Sequence, residues 1–349
     1  LIINGAMQVA QRGTSSTSSG IQSVDRMPLQ FGNQDEAPTQ AQVSVASGTT
    51  PYASGFRKAF KITNGNQTSG AGTNDYLWLQ YKIEAQDIAN SGWNYVSSSS
   101  NITLSFWVKS SVAQDFSIAL RSEDGTRQIY NMTTGSLSAD TWTKIVKTIP
   151  GNSNLQFDDN NAVGLTLFII GFAGTASTTT GLAQNAWSAF TNSKFSGDMT
   201  STWYTTNDST LEMTGIQLEV GSTATDFEHR SFGEELALCQ RYYYVLASGA
   251  TKFMCIGDFW LNAQADGGIV LPVEMRSTPT LDHTNGADYY RVWTNGANSH
   301  IDGAVALWNR SHSKAVTWYA TPDVDRTAGH ANRWITNNAD AHFAFSAEL

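Results

Sequence analysis

The stretch 163–173, VGLTLFIIGFA, is the longest apolar segment of the chain. It is too short to cross a bilayer as a helix, and Gly164, Thr166 and Gly171 interrupt it. A segment this short that is apolar at nearly every position is typical of a central β-strand whose two faces are both covered. The segment therefore predicts a sheet with packing on each side.

Other segments around this strand alternate apolar and polar residues. Alternation predicts strands at 102–108, 116–120 and 142–149, and at 211–220 with a β-bulge near Gly215. Turn-forming residues separate these segments, which is the pattern of a β-sandwich. In this arrangement Trp107 is expected in the core.

One segment departs from the β pattern. Ser231 and Glu234 have the spacing of a capping box, and apolar residues then recur at helical spacing. The sequence therefore predicts a helix over 232–245 that joins two β domains, 1–231 and 246–349. Further strands are predicted in the second domain at 252–260, 268–272, 289–294, 303–308, 315–320 and 341–346. The expected fold class is all-β.

Composition excludes some classes of partner. The 349 residues carry a net charge of −9, and only 15% of them are charged. Binding to nucleic acid or an anionic membrane requires clustered Lys and Arg, so neither partner is expected. The chain begins with Leu1, and residues 1–6 lack the basic start and apolar core of a signal peptide. A missing or cleaved N-terminal segment stays open.

The two cysteines, Cys239 and Cys255, cannot form a disulfide framework, and their separation is not a metal-ligand spacing. We expect two buried free thiols.

Several segments resemble a family of bacteriophage virion proteins. The resemblance extends from residue 4 to residue 243 and rests on 4–15 (NGAMQVAQRGTS), 105–111 (SFWVKSS), 215–221 (GIQLEVG), 224–230 (ATDFEHR) and 233–243 (GEELALCQRYY). It implies a jelly roll similar to carbohydrate-binding modules, carried on tail fibres or related appendages and usually homotrimeric. The expected location is the virion, at the tail or capsid surface, with other virion proteins and bacterial surface polysaccharide as partners. The sequence departs from the family pattern at Met27, where an aromatic residue is common, and at Asp226, where proline is common.

Catalytic motifs are missing from the sequence. It contains no Gly-x-Ser-x-Gly, no His-Glu-x-x-His and no phosphate-binding glycine loop, so we expect neither an enzyme nor a cofactor. Asp158 with Asp159 and Asp323 with Asp325 are weak candidates for a structural calcium site, because carboxylate oxygens are calcium ligands. The alternative for both pairs is a solvated loop.

Aromatic residues are concentrated toward the C-terminus, several of them beside turn residues. Trp293, Trp334, Tyr289 and Tyr290 are candidate glycan-binding residues, because an indole or phenol ring can stack on a sugar. Packing in the core is the alternative for each of them. Together with the resemblance, they make 246–349 the candidate receptor-binding tip.

Two functions remain open at this point. The first is a tail fibre or receptor-binding protein that attaches a tailed bacteriophage to host cell-surface glycans. The second is a capsid decoration or head-fibre protein with a purely structural role. An exposed aromatic patch on the C-terminal domain favours the first, and a capsid-docking surface without a glycan pocket favours the second.

Overall fold

The computed structural model describes residues 1–349, of which 41% lie in strands and 7% in helices. This confirms the all-β class. The chain divides into two compact units, an N-terminal unit of residues 1–235 with Leu349 and a C-terminal unit of residues 236–348. None of the helices is long and apolar enough to cross a membrane.

The N-terminal unit contains fourteen strands and three short helices. The strands are β1 (Ser15–Ser16), β2 (Leu29–Gly32), β3 (Thr39–Ser44), β4 (Lys58–Thr63), β5 (Tyr76–Glu84), β6 (Asn101–Ser110), β7 (Ser117–Ser122), β8 (Gln128–Thr133), β9 (Thr143–Pro150), β10 (Val163–Ala173), β11 (Thr178–Thr179), β12 (Trp187–Ala189), β13 (Ser196–Gly197) and β14 (Thr210–Val220). The helices are α1 (Thr50–Ala53), α2 (Ala85–Ala89) and α3 (Thr202–Thr205). A 3-10 turn spans Asn192–Lys194.

Two six-stranded antiparallel sheets form the sandwich. Sheet A has the order β1-β3-β4-β14-β6-β9, and sheet B has the order β12-β8-β7-β10-β5-β2. Both sheets contribute to the main core: Phe60 and Leu104 from sheet A pack in one cluster with Leu79 and Leu167 from sheet B. The face of each sheet turned away from this core is called its outer face below.

The central strand β10 is covered on both faces, as the sequence predicts. Leu165, Leu167 and Ile169 belong to the sandwich core. Phe168 and Ile170 belong to a second cluster on the outer face of sheet B. The bulge expected in β14 is also present, since the pairing of β14 with β6 shifts register between Thr214 and Gln217. Trp107 was expected in the core, which is wrong: it is only partly buried and lies on the outer face of sheet A.

Helix α4 (Phe232–Gln240) begins where the sequence places it. The Ser231 hydroxyl donates to Oε2 of Glu234 at 2.8 Å, and the Glu234 amide donates to Oγ of Ser231 at 3.3 Å, so the capping box is formed. The helix ends at Gln240 rather than at residue 245. The helix cannot continue to residue 245, because from Tyr243 onward the backbone pairs with the strand His342–Ser346, beginning with Tyr243 opposite Ser346.

The C-terminal unit is built from ten strands. These are β15 (Tyr243–Ser248), β16 (Phe253–Leu261), β17 (Gln264–Val270), β18 (Thr280–His283), β19 (Tyr290–Thr294), β20 (Ala297–Ile301), β21 (Ala306–Leu307), β22 (Ala315–Ala320), β23 (Ala331–Thr336) and β24 (His342–Ser346). They form a seven-stranded sheet, β20-β19-β23-β16-β17-β22-β21, and a three-stranded sheet, β15-β24-β18. Trp318 and Trp334 from the larger sheet pack in one core with Phe343 and Phe345 from the smaller one. Two predicted strands are displaced: 268–272 begins earlier, at Gln264, and 303–308 contracts to Ala306–Leu307.

The prediction for the cysteines is confirmed. Cys239 and Cys255 are both buried, and neither forms a disulfide. Burial raises the pKa of the Cys255 thiol to about 12, because the thiolate loses its solvation.

Candidate functional site

An aromatic cleft lies on the outer face of sheet B in the N-terminal unit. It has a volume of about 470 Å³. Its floor is formed by side chains of β2, β5, β7 and β10, and its wall by the segment between β10 and β13. The residues used below are Tyr76, Trp78, Gln80, Arg121, Phe168, Phe190, Asn192 and Phe195. This set is called the aromatic cleft.

Strand alternation explains how β5 supplies the floor. Successive side chains of a strand point to opposite faces of the sheet. Leu77 and Leu79 are buried in the sandwich core, so Tyr76, Trp78 and Gln80 point to the outer face. Two aromatic rings and an amide are thereby placed in a row on one strand.

The aromatic rings of the cleft contact one another. Tyr76 stacks on Trp78 with centroids 4.4 Å apart and an interplanar angle of 27°. Phe195 lies 4.6 Å from Trp78 and 4.8 Å from Phe168, in the second case edge to face. These contacts restrict the ring orientations before any ligand arrives, which lowers the entropic cost of binding.

The wall of the cleft is held onto sheet B by hydrogen bonds. The amide of Phe190 donates to the carbonyl of Arg127 at 2.9 Å. The hydroxyl of Ser196 donates to the hydroxyl of Ser117 at 2.8 Å. Phe190 and Phe195 are therefore positioned by main-chain and side-chain bonds to β7 and to the residue that precedes β8.

Arg121 on β7 is the one charged residue that lines the cleft. Its guanidinium lies 4.7 Å from the Phe190 ring centroid and 5.0 Å from that of Phe168. It is also paired with Glu123, with Nη2 2.8 Å from Oε1. Glu123 is also paired with Arg127, with Nε 3.0 Å from Oε2, so two guanidinium groups share one carboxylate. Arg121 supports the aromatic wall, since its guanidinium packs against both rings.

Four polar groups in the cleft have no hydrogen-bond partner within the protein: the Tyr76 hydroxyl, the indole N–H of Trp78, and the side-chain amides of Gln80 and Asn192. All four side chains are at least partly solvent-accessible. Aromatic faces beside free hydrogen-bonding groups can bind a ring that is apolar on its faces and hydroxylated at its edge. A sugar ring has these properties.

The glycan-binding residues expected from the sequence do not come together. Trp334 is fully buried, and its indole donates to the carbonyl of Asp266 at 2.9 Å. Tyr290 is also buried, and its hydroxyl donates to the carbonyl of His342. Neither ring can stack on a sugar, so these two assignments are wrong. Their side chains point into the core of the C-terminal unit because β19 and β23 direct them there.

The other two candidates remain accessible to different degrees. Trp293 is 37% exposed, with the guanidinium of Arg333 5.1 Å from its ring centroid. Tyr289 is half-buried and packs against the core of the C-terminal unit. Trp293 alone among the four presents much of its ring to solvent.

The carboxylates weighed as calcium ligands lie in exposed loops. Asp159 accepts a hydrogen bond from Asn90 at 2.8 Å, and the Asp158 amide donates to Asp124 at 3.0 Å. Asp323 accepts from the amide of His300 at 2.8 Å, and Asp325 is exposed. No group of three or more His, Cys, Asp or Glu side chains converges on a metal position anywhere in residues 1–349.

Sequence analysis missed the residues of the aromatic cleft. The signal was present in YLWLQYKIE (Tyr76–Glu84), where the alternation places Tyr76, Trp78 and Gln80 opposite Leu77 and Leu79. The alternation shows which side chains share a face, but it does not show that the segment after β10 walls that face into a cleft.

The sequence matches neither a protein-family model nor a curated protein. Among solved structures, the chain is similar to the enzymatically active domain of tailspike protein 4 of bacteriophage CBA120, with 8% identity and a TM-score of 0.32. That match covers 63% of this chain and 21% of the tailspike chain. A CBM4 structure matches with 11% identity and a TM-score of 0.32, over 63% of this chain and 100% of the other. The family 11 carbohydrate-binding module of the cellulase Lic26A-Cel5E of Clostridium thermocellum matches with 15% identity and a TM-score of 0.28, over 62% and 98%. These TM-scores are too low to transfer fold or function.

Proposed function

We propose that the N-terminal unit binds a glycan in the aromatic cleft. The observation that carries this proposal is the stacked pair Tyr76 and Trp78, 4.4 Å apart, beside polar groups that have no partner in the protein. The sugar ring packs against the solvent-accessible part of the stacked Tyr76–Trp78 pair, and its hydroxyls bond to Gln80, Asn192 and the indole N–H. Arg121, the one charged residue that lines the cleft, is held by its ion pair with Glu123, so ring stacking and neutral hydrogen bonds carry the proposed binding.

The cleft supports binding rather than hydrolysis at this position. Glycoside hydrolysis generally requires two carboxyl groups that flank the scissile bond. No Asp or Glu side chain lines the aromatic cleft. The proposed role is therefore attachment to a polysaccharide without its cleavage.

The biological setting we propose is a tailed bacteriophage. The resemblance of residues 4–243 to virion proteins supports a tail fibre or receptor-binding protein at the surface of the particle, with bacterial surface polysaccharide as the ligand. Individual stacking sites bind sugars weakly, so several copies on one particle are needed for firm attachment.

A homotrimer forms part of this proposal. The outer face of the seven-stranded sheet exposes Ile256 (68%), Trp260 (62%) and Val270 (80%), together with Phe253 and Trp293. Ile256 and Trp293 share one face, because both pair with Arg333. Phe253 shares it through its pairing with Ile335, two residues beyond Arg333, and Val270 shares it because it lies four residues after Asp266, the partner of Asp258. Contiguous exposed apolar surface marks an interaction site, and a second copy of the chain is the proposed occupant.

Sedimentation velocity tests the oligomer. The wild-type chain should sediment as a trimer at micromolar concentration, and Ile256→Glu should shift it to a monomer, because each interface would then bury a carboxylate. A monomeric wild-type chain with no trimer in the particle would contradict this part of the proposal.

Binding is tested by exposing the chain to an array of bacterial surface polysaccharides. Trp78→Ala should weaken binding at least about tenfold, because one stacking contact contributes roughly 1.4 kcal/mol. Trp293→Ala is the comparison variant in the C-terminal unit. Because Trp293 also lies on the proposed trimer face, its binding is compared with that of the wild type at a chain concentration where both sediment as the same oligomer, and it should then be retained. If Trp293→Ala abolishes binding and Trp78→Ala does not, the C-terminal unit carries the receptor site.

The second candidate function is capsid decoration or a head fibre. The broad exposed apolar face around Trp260 is the observation that favours it, since a docking surface is what a structural part requires. A wild-type chain that binds no polysaccharide, together with its location on the capsid in images of intact virions, would support this function instead.

A further inference from the structure

A second cleft lies on the outer face of sheet A in the N-terminal unit. Its volume is about 460 Å³. One wall is the segment 225–229, part of the ATDFEHR motif, and the facing wall is the segment 53–56. The floor includes Ser105 and Trp107 of β6 and Lys144 of β9. This set is called the motif cleft.

Three rings hold the walls of the motif cleft together. Phe56, Phe227 and His229 lie in mutual contact, with all three centroid separations between 4.9 and 5.0 Å. Nε2 of His229 also lies 2.9 Å from the carbonyl oxygen of Ser54. Because a carbonyl can only accept, Nε2 carries the proton.

Two glycines permit this close packing. A Cβ atom on Gly215 would lie 2.5 Å from Cζ of Phe56, and one on Gly55 would lie 2.8 Å from Nε2 of His229. Both glycines have positive φ, at +66° and +94°, which other residues rarely adopt. The absence of a Cβ atom at these two positions therefore allows the rings of Phe56 and His229 to lie directly against the backbone.

The floor presents an indole beside an unpaired cation. Trp107 and Lys144 are direct cross-strand partners of β6 and β9. The indole N–H of Trp107 has no hydrogen-bond partner in the protein, and Lys144 is exposed and forms no ion pair. Its neighbour Lys109 differs, because Lys109 is bound to Glu212 at 3.0 Å.

From this arrangement we infer that the motif cleft binds an acidic saccharide, with the sugar ring against Trp107 and its carboxylate facing Lys144. The site is distinct from the aromatic cleft, which lies on the other sheet. One unpaired ammonium group matches the single charge of a hexuronic acid. Asp226, the carboxylate in the lining, opposes the anion and weakens binding.

The test uses the full chain labelled with 5-fluorotryptophan and observed by fluorine NMR. The Trp107 and Trp78 signals are assigned with Trp107→Phe and Trp78→Phe. The probes are the methyl glycosides of glucuronic and galacturonic acid, and the control is methyl glucoside, which has the same ring with a hydroxymethyl group in place of the carboxylate. We expect at least one hexuronide to shift the Trp107 signal saturably at millimolar concentration, and methyl glucoside to leave it unchanged.

Charge variants give effects of opposite sign. Lys144→Gln should weaken hexuronide binding about fivefold, the upper range for an exposed ion pair, and Asp226→Asn should strengthen it. Lys147→Gln on the other face of β9 is the matched control and should have no effect.

An unchanged Trp107 signal with both hexuronides, or an equal response to methyl glucoside, would overturn the inference. The Trp78 signal reports the aromatic cleft separately, so failure of one site is distinguishable from failure of the other.

Discussion

Gly32 and Tyr76 are direct cross-strand partners, and a Cβ atom on Gly32 would lie only 2.6 Å from Cε1 of Tyr76. The tyrosine ring therefore occupies the space that any other side chain at position 32 would need. The same ring stacks on Trp78. A glycine at the end of an edge strand thus sets the position of an aromatic ring in the proposed binding site.

Gly32→Ala should weaken glycan binding several-fold without unfolding the sandwich. The added methyl group displaces Tyr76 from Trp78, whereas β2 is a short edge strand whose end carries little of the core. Titration with the polysaccharide selected on the array measures the effect. Gly233→Ala is the control, because a Cβ atom there meets nothing within 4 Å. Equal affinity of the wild-type and Gly32→Ala proteins would show that the Tyr76 position is unimportant.

Trp334→Ala should act on stability rather than on attachment. Loss of a fully buried indole and its hydrogen bond to Asp266 is expected to cost about 3–5 kcal/mol of unfolding free energy. Urea unfolding followed by circular dichroism measures this cost. Trp293→Ala, which removes an exposed ring and one cation–π contact with Arg333, should cost less than about 1 kcal/mol. Similar losses of unfolding free energy from the two substitutions would contradict the assignment of Trp334 to the core and of Trp293 to the surface.

His283 should make the C-terminal unit less stable in mild acid. Burial lowers the pKa of His283 below its ordinary value of 6.5, partly opposed by Asp282. Its Nε2 is buried without a partner, and the ring packs near Tyr290 and Phe343. The unfolded chain therefore binds the proton more readily, and the free energy of unfolding falls as the pH drops through the ordinary value.

His283→Phe keeps a ring in this position and removes the titration. Comparison of urea midpoints at about pH 7.5 and about pH 5.5 should show a smaller loss of stability for this variant than for the wild type. An identical pH dependence of the two proteins would assign the effect to other groups.

Cys255 should be unreactive in the folded protein. Because burial raises its pKa to about 12, almost none of the reactive thiolate is present at neutral pH. Ellman's reagent should modify both cysteines only after denaturant is added, since Cys239 is buried as well. Rapid modification of the native wild type that is lost in Cys255→Ala would show that this thiol is accessible.

Much of the fold could be predicted from the chemistry of neighbouring residues in the sequence. The apolar content of Val163–Ala173 identified a strand covered on both faces, and the capping box at Ser231 located the start of α4. The end of that helix could not be predicted in the same way. It depends on the pairing of Tyr243 with Ser346, a residue more than a hundred positions away.

The sites depended on tertiary structure. Trp78 and Trp334 both lie in alternating strands, and alternation determines only that neighbouring side chains point to opposite faces. Trp334 became core because a second sheet packs on its side of β23, whereas Trp78 became part of a cleft because the segment after β10 covers its side of β5 only in part. The sequence by itself determined the all-β class, the central strand and the beginning of the helix. Only the packing of sheets and loops decided which aromatic rings reach solvent, because burial is a property of what lies opposite a residue and not of the residue itself.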